Sequence, residues 1–462
     1  MIKMKSIVDL SMFKSRIFQY LAAFGANMGM VSLGMHYGWS STSIPRLQSV
    51  NSTIQITSDE GSWLASVTPL GAIVGTILVA LTLNSVGYKK FIILISLPLT
   101  LSWLLIALAN NKVYFFIGRI IAGIMDGILF TVIPPFLSEI SDPDIRGFMG
   151  ITYLLALVIG MLLINVLFLC VSDVTTAAIA SVLSLPILLI IPWLPDSPYF
   201  LLMKQDTLAA EASLRKYRGK SDVVEEIDRI TKSLMQNSDE GRFIDLVRNK
   251  FHRKSLLLAM GLIIFQHLSG IMAIQSYCET VFIESSSFLN PTISNLIYFI
   301  VYFFATVLSQ FLVDIFGRRL LLLSSTGLVI AMLLLNGTYL YIKNWTTIDT
   351  TSFDFLQLVA ILIYILTFSI GLNTVPTLIA SEIFTPNIKG VAFCVINICY
   401  SLISTVVIKF FIWSKDTFGM FVPFYIFAIC SMLGMGFSAM FMPETKNKTL
   451  EKIQMEIRGQ KE

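Results

Sequence analysis

The residues able to do chemistry in this chain are few, and they are set against long apolar runs. EISDPDIRG (139–147) is matched by EIFTPNIKG (382–390), with five positions identical and a sixth keeping a basic residue. Each copy follows an apolar stretch with a proline inside it. Glu139, Arg146, Glu382 and Lys389 in these copies, with Asp314, Arg318 and Arg319 in DIFGRR (314–319), put acids and bases at the ends of apolar segments. Acids and bases so placed can form ion pairs, which supports a gate. Within the apolar segments stand Arg119 and, two turns along the same helical face, Asp126; His36 and His267 could also titrate. A charge at lipid depth costs about 2.5–3.5 kcal/mol, which makes such residues functional candidates. An enzyme would need a nucleophile with its base, or a metal set. The chain has three His, no HExxH and no GxSxG, so no enzymatic activity and no cofactor is expected. Its five cysteines, Cys170, Cys278, Cys394, Cys399 and Cys430, lack metal spacing and read as buried thiols.

The elements that position these groups are membrane helices. The chain has 462 residues, 55% hydrophobic and 13% charged, against about 25% charged in soluble proteins. About 20 apolar residues make one crossing, and the pattern gives an all-α protein with twelve spans over 18–40, 62–83, 91–109, 113–138, 148–170, 174–194, 255–278, 292–313, 320–342, 354–381, 388–413 and 419–442. No cleavage site follows the basic start, so the first span reads as retained and not as a signal peptide. With both termini cytoplasmic, all but six of the 33 Lys and Arg fall on the cytoplasmic side; the six are Arg46, Lys112, Arg119, Lys343, Lys409 and Lys415. The basic residues are thereby explained by topology, and no nucleic-acid partner is implied. Asn51-Ser-Thr and Asn344-Trp-Thr fall outside and are candidate glycosylation sites, which fits a cell-membrane location.

Residues 195–254 are the one long polar stretch and carry twelve basic residues. Apolar residues at helical spacing there predict two or three short amphipathic helices in a cytoplasmic linker. The division expected is an N-terminal six-helix bundle over 1–194, this linker, a C-terminal bundle over 255–442 and a tail over 443–462. NSVGYKK (84–90) pairs with DIFGRR, and LPDSPYFLL (194–202) with MPETKNKTL (442–450), in the same order as the first match. Two parallel repeats around a midplane cavity are the architecture of alternating access.

These residues resemble the major facilitator superfamily, and within it the sugar porters, over nearly the whole chain from about Gly25 to Glu451. PDSPYFLL resembles the family's P-E-S-P-R-x-L, FQHLSG (265–270) its Q-Q-x-S-G, and PETKNKTLE (443–451) its P-E-T-K-G-x-T-L-E. Gly38-Trp39-Ser40, Glu60-Gly-Ser-Trp and Gly118-Arg119 look like the insect trehalose-porter branch. The resemblance implies two pseudo-symmetric six-helix bundles and a facilitative carrier of a sugar or other small polar solute, in the lipid bilayer and functional as a monomer. It also implies that Glu139, Arg146, Asp314, Arg318, Arg319, Glu382 and Lys389 pair across the halves when the carrier faces outward and part when it opens inward. In the N-terminal copy Asn84 and Tyr88 replace the usual acid and first Arg, so the latch is expected to be weaker there.

By the same resemblance, the substrate contacts fall on Asn165, Gln266, His267, Met272, Tyr302, Thr377, Tyr400 and Ser404. Amides suit a sugar, because they donate and accept hydrogen bonds at once. Gln266 is retained and Asn165 keeps an amide where a Gln is common. His267, Met272, Tyr302, Thr377 and the pair Tyr400-Ser401 replace family amides and Trp residues, and Asn373-Thr374 replaces a Gly-Pro. These departures touch the site and spare the scaffold, so a changed substrate or pose is expected. No acid lies between Leu21 and Pro45 on span 1, where proton-coupled sugar porters carry one. That favours uniport; a proton symporter of a sugar or polyol and a non-transporting nutrient sensor are the alternatives.

Overall fold

The computed structural model describes residues 16–142, 144–220, 222–236, 246, 248–285, 289–384 and 386–444; the tail from 445 on and the first fifteen residues lie outside these. Twelve helical passages run through it: Ile17–Gln48, Ser58–Val86, Tyr88–Ala107, Lys112–Ile140, Arg146–Cys170, Asp173–Val182 with Pro186–Ile190, Lys250–Leu268 with Ile271–Ser276 and Cys278–Ser285, Pro291–Phe316, Arg318–Trp345, Phe355–Ile370 with Val375–Ile383, Pro386–Phe418, and Phe421–Phe441. They are spans 1 to 12 below. Ten of the described helices are long and apolar enough to cross a membrane. Spans 1 and 7 fall short of that measure. Span 1 is lined with polar residues (Ser32, His36, Ser40, Ser41, Thr42 and Ser43), and span 7 breaks at Gly270.

Helix boundaries follow local chemistry. Thr57 and Glu60 form a reciprocal capping box at the start of span 2, Asn111 and Ser172 cap spans 4 and 6, and Asn290 caps span 8 just before Pro291. Spans 2 and 3 meet at Gly87 (φ +81°, ψ 161°), and spans 8 and 9 meet at Gly317 (φ +84°, ψ 162°). The two glycines occupy the same place in NSVGYKK and DIFGRR, so the sequence repeat is also a repeat of backbone conformation. A Cβ at Gly87 would lie 2.7 Å from the Phe200 ring.

The packing repeats as well. Spans 1 and 5, 2 and 4, 3 and 4, and 3 and 6 pack together; so do 7 and 11, 8 and 10, 9 and 10, and 9 and 12. Each of these four pairings of the first bundle recurs six spans later. The bundles then meet through span 2 on span 11 and span 5 on span 8, which exchange under the same operation. Within the first bundle the backbones are brought close by small residues, as helix association without a hydrophobic drive requires. Gly71 and Gly75 of span 2 face Gly123 and Gly127 of span 4. A Cβ on Gly75 would meet the Ile124 carbonyl at 2.0 Å, and one on Gly127 the Ala72 carbonyl at 2.0 Å.

Span 1 runs eight residues past its expected end. Hydropathy stopped the expected helix at Ser40, but Ser41, Thr42 and Ser43 are buried against other helices and stay helical. Spans 6, 7 and 10 are broken rather than continuous, at Leu183–Leu185, Gly270 (φ +88°) and Gly371–Thr374. The linker holds helices Pro198–Met203, Thr207–Arg218 and Val224–Gln236, the short amphipathic helices expected. Among the cysteines, Cys278 and Cys394 are buried and Cys399 and Cys430 half-buried. Cys170, at the last turn of span 5, is exposed, which corrects its reading as a buried thiol.

Candidate functional site

The two ends of the interface between the bundles differ. At the end away from the linker, side chains of the first bundle bond directly to the second. Ser41 donates to Asn295 Oδ1 at 2.9 Å, and Asn295 Nδ2 reaches Thr42 Oγ1 at 3.0 Å and Asn165 Oδ1 at 2.8 Å. Lys409 reaches Asp59 Oδ1 at 2.8 Å and Ser62 Oγ at 2.7 Å, with its ammonium 4.1 Å from the Trp63 ring centroid. Ser58 donates to Asp416 at 2.6 Å, and the Tyr277 hydroxyl to the Gly61 carbonyl at 3.3 Å. At mid-depth, Asn397 Nδ2 meets Thr131 Oγ1 at 3.4 Å and Tyr400 lies against Phe130, 6.2 Å between centroids.

At the linker end no ion pair or side-chain hydrogen bond joins the bundles among the described residues. Arg318 pairs with Glu382 at 3.3 Å inside the second bundle, and its backbone N–H donates to Glu444. Arg319 donates to the Ala439 carbonyl at 2.5 Å, and its backbone N–H to Glu444. Glu139 accepts from Ser197 of the linker. Arg146 has no partner among the described residues, and Lys389 lies 6.0 Å from the ring of Phe393 on its own helix. The side chain of Asp314 lies outside the described residues. The candidate gating residues are thus gathered at one end, but among the described residues their pairs lie within one half or to the linker.

Residues 16 and 217–218 tie the linker to the first bundle. Arg218 bonds Asp142 at 3.2 Å, Glu226 at 2.9 Å and the Ile140 carbonyl at 2.7 Å, while Arg16 reaches Asp142 at 2.6 Å. Gln19 donates to the Tyr217 carbonyl at 2.7 Å and accepts from the Asp142 N–H at 3.0 Å.

Of the eight proposed substrate contacts, the structure brings His267 and Tyr400 together edge to face at 4.5 Å. Gln266 is buried, donates to the Asn373 carbonyl at 3.4 Å and leaves Oε1 without a partner. The Gly270 break lies four residues on and reorients the helix after this pair. Tyr302 is buried, Met272 and Thr377 are half-buried, and Ser404 is buried with its hydroxyl on the Tyr400 carbonyl at 2.7 Å. Asn165 stands apart from them, because its amide is committed to Thr42, Asn295 and the Met161 carbonyl.

The in-span charges do not pair directly. Arg119 is buried and bonds the His36 carbonyl, the Ser40 hydroxyl at 2.7 Å and the Leu64 carbonyl at 3.3 Å. Asp126 accepts from Tyr37 at 2.7 Å. His36 stacks on Trp103 at 3.9 Å and bonds Ser102 at 2.9 Å, so it joins spans 1 and 3. Sequence reasoning missed Asn295, Lys409 and Asp59 as a seal. The signal was present for Lys409, one of the six basic residues left on the outer side. Trp63, read as a branch marker, supplies the ring beneath it.

A family model described as "Sugar (and other) transporter" matches residues 22–456. The facilitated trehalose transporter Tret1 of Bombyx mori is 32% identical over 444 residues, 95% of this chain and 86% of that protein. The Tret1 of Aedes aegypti is 30% identical over 446 residues, 96% of this chain and 55% of that protein, so the chain spans about half of that relative. Among solved structures, the proton:xylose symporter XylE of the major facilitator superfamily, bound to 6-bromo-6-deoxy-D-glucose, superposes with a TM-score of 0.78 at 22% identity, covering 95% of this chain and 99% of that one. At that identity the likeness is one of fold.

Proposed function

Because this chain belongs to the sugar transporter family and has the major facilitator fold, we propose that it is a facilitative carrier that moves a sugar, trehalose or a hexose, down its gradient by alternating access. The observation that carries the reading is the asymmetry of the interface. The bundles are bonded to each other at the far end, while at the linker end the ion pairs found among the described residues lie within one half or to the linker. That is the arrangement of a carrier closed on one side, with its second latch released. The linker end is cytoplasmic in this reading, since the Lys and Arg excess falls there. The bundles 1–194 and 255–442 rock against each other, with 195–254 carried by the first, in the cell membrane and as a monomer. Asn51 and Asn344, both exposed, then face outward as glycosylation acceptors.

Uniport, rather than proton symport, is supported by the partners of Arg119. All three are neutral, with Ser40 where an acid partner on span 1 would stand. The test is zero-trans uptake of labelled trehalose and glucose into oocytes expressing the chain, with and without a pH gradient. Saturable uptake independent of the gradient is expected. Gradient-driven accumulation would replace uniport with symport, and silence despite surface expression would leave another substrate or the sensor reading.

A further inference from the structure

We propose that Asp126 on span 4 is a substrate contact: its carboxyl is the first bundle's acceptor for a hydroxyl of the polyhydroxylated solute. The inference deepens the sugar-carrier reading and rests on it. Seven of the eight substrate candidates lie on the second bundle. The eighth, Asn165, has both lone-pair directions of Oδ1 and one amide proton taken by protein partners. Asp126 differs. It is 1% exposed, Oδ2 takes the Tyr37 hydroxyl at 2.7 Å, and Oδ1 is buried with no partner.

Charge makes that unpartnered oxygen more telling. An acid at mid-membrane is costly unless paired, and no cation pairs with Asp126 among the described residues, since Arg119 bonds neutral groups. A buried acceptor left open calls for an explanation, and completion by a ligand is the one the surroundings support. Phe130, one helical turn along the same face, meets Tyr400 of span 11, and Thr131 beside it meets Asn397. This face of span 4 therefore borders the seam along which the bundles part. Tyr37, which donates to the carboxyl, also shares a hydrogen bond with Tyr400, and Tyr400 meets His267, so the carboxyl is linked by contact to two of the second bundle's candidates. Phe130, Tyr37 and Tyr400 add aromatic faces against which the apolar side of a sugar ring can lie. A carboxyl among them keeps acceptor capacity for a sugar hydroxyl.

The competing role is a helix lock between spans 1 and 4 through the Tyr37 bond. Asp126→Asn keeps an acceptor for Tyr37, and Tyr37→Phe removes the lock while keeping the carboxyl. The experiment measures KM and maximal rate in proteoliposomes for trehalose and glucose, with inhibition by the monodeoxy analogues of each. The wild-type chain should reject one analogue by about tenfold, the factor that about 1.4 kcal/mol supplies. Asp126→Asn and Asp126→Ala should raise KM about as much and no longer distinguish that analogue from its parent. Tyr37→Phe should retain the discrimination. Wild-type KM and ranking in Asp126→Asn would overturn the proposal, even where Asp126→Ala fails to reach the membrane. Equal losses of maximal rate in Asp126→Asn and Tyr37→Phe, with KM unchanged, would assign the lock instead. A wild-type chain that carries neither sugar overturns this inference together with the trehalose-or-hexose reading; wild-type uptake with the ranking unaltered in Asp126→Asn overturns this one alone.

Discussion

Asn295 and Asn165 face each other across the bundle interface, with Asn295 Nδ2 donating to Asn165 Oδ1 at 2.8 Å. Each is buried, and around them Ser41 and Thr42 complete a polar cluster on the far side of the molecule. Replacing Asn295 by Leu strips partners from Ser41, Thr42 and Asn165 at once. Leaving buried polar groups unpaired costs about 1–3 kcal/mol each, and the cost falls only on the state in which the far end is closed. Asn295→Leu should therefore shift the carrier toward the far-open state by about tenfold or more. With Cys170 replaced by Ser, a Cys at position 43, buried in the closed state, should label faster with an impermeant thiol reagent in Asn295→Leu than in its parent. Equal labelling would dismiss the seal.

Lys409 has two kinds of partner, and their magnitudes differ. Its bond to Asp59 is to a carboxylate whose side chain is 75% exposed, so screening leaves about 0–1 kcal/mol. The Trp63 ring at 4.1 Å offers about 0.5–1 kcal/mol at an exposed site and more where water is excluded. Asp59→Asn should consequently leave uptake near the wild-type rate, while Trp63→Leu loosens the far end and changes the labelling of the same reporter cysteine. The reverse ranking would put the ion pair first.

What could be read from the sequence is what lipid dictates. Twelve apolar runs, the basic-residue asymmetry and the repeated motifs required two related bundles, and Gly87 and Gly317 share their conformation as their place in the repeat requires. The Arg319 and Glu382 neighbourhoods lie where the motifs put them. The state of the carrier was not legible, because alternating access uses one sequence for two sets of pairs. Helix breaks were also hidden: Gly270 looks like any glycine in an apolar run until Phe427 is seen packed where its Cβ would be. Asn165 was read as a cavity amide by resemblance, and its commitment to Asn295 depends on a helix 130 residues away.

Gln266 tests the cavity independently of the seal. Its Oε1 is buried without a protein partner while Nε2 makes a long bond of 3.4 Å to the Asn373 carbonyl. Little of the fold depends on this amide, whereas a sugar hydroxyl could complete it for about 0.5–1.5 kcal/mol. Gln266→Ala should raise KM for the transported sugar by roughly three- to tenfold with surface expression unchanged. Unchanged KM would remove Gln266 from the site.

Close backbone packing gives a stability prediction. Gly75 approaches the carbonyl of Ile124 so closely that a methyl group would lie 2.0 Å from the oxygen. A backbone atom cannot swing aside, so Gly75→Ala must push spans 2 and 4 apart. Gly436 has nothing within 4 Å of its Cβ position and is the matched control. Gly75→Ala should lower the melting temperature of the purified carrier and its surface level, and Gly436→Ala should do neither. Similar behaviour of the two would mean that the helices tolerate separation.

Asp196, just past span 6 at the linker end, gives a pH dependence. Burial raises its carboxyl above the usual range, and the attraction of Lys89 and Lys90 offsets this only in part. A folded-state pKa above the unfolded value means that the native state holds its proton to higher pH, so ionisation costs stability as pH rises through that pKa. The cost is fully present above the raised value and absent below the unfolded one. Asp196→Asn removes the charge and keeps the backbone carbonyl that accepts from Ser213 at 2.6 Å. Thermal unfolding of the purified protein should show Asp196→Asn more stable than the parent at pH 7, with the difference shrinking toward pH 4. A loss of stability at pH 7 would mean that the attraction to the two lysines outweighs the burial of the carboxylate.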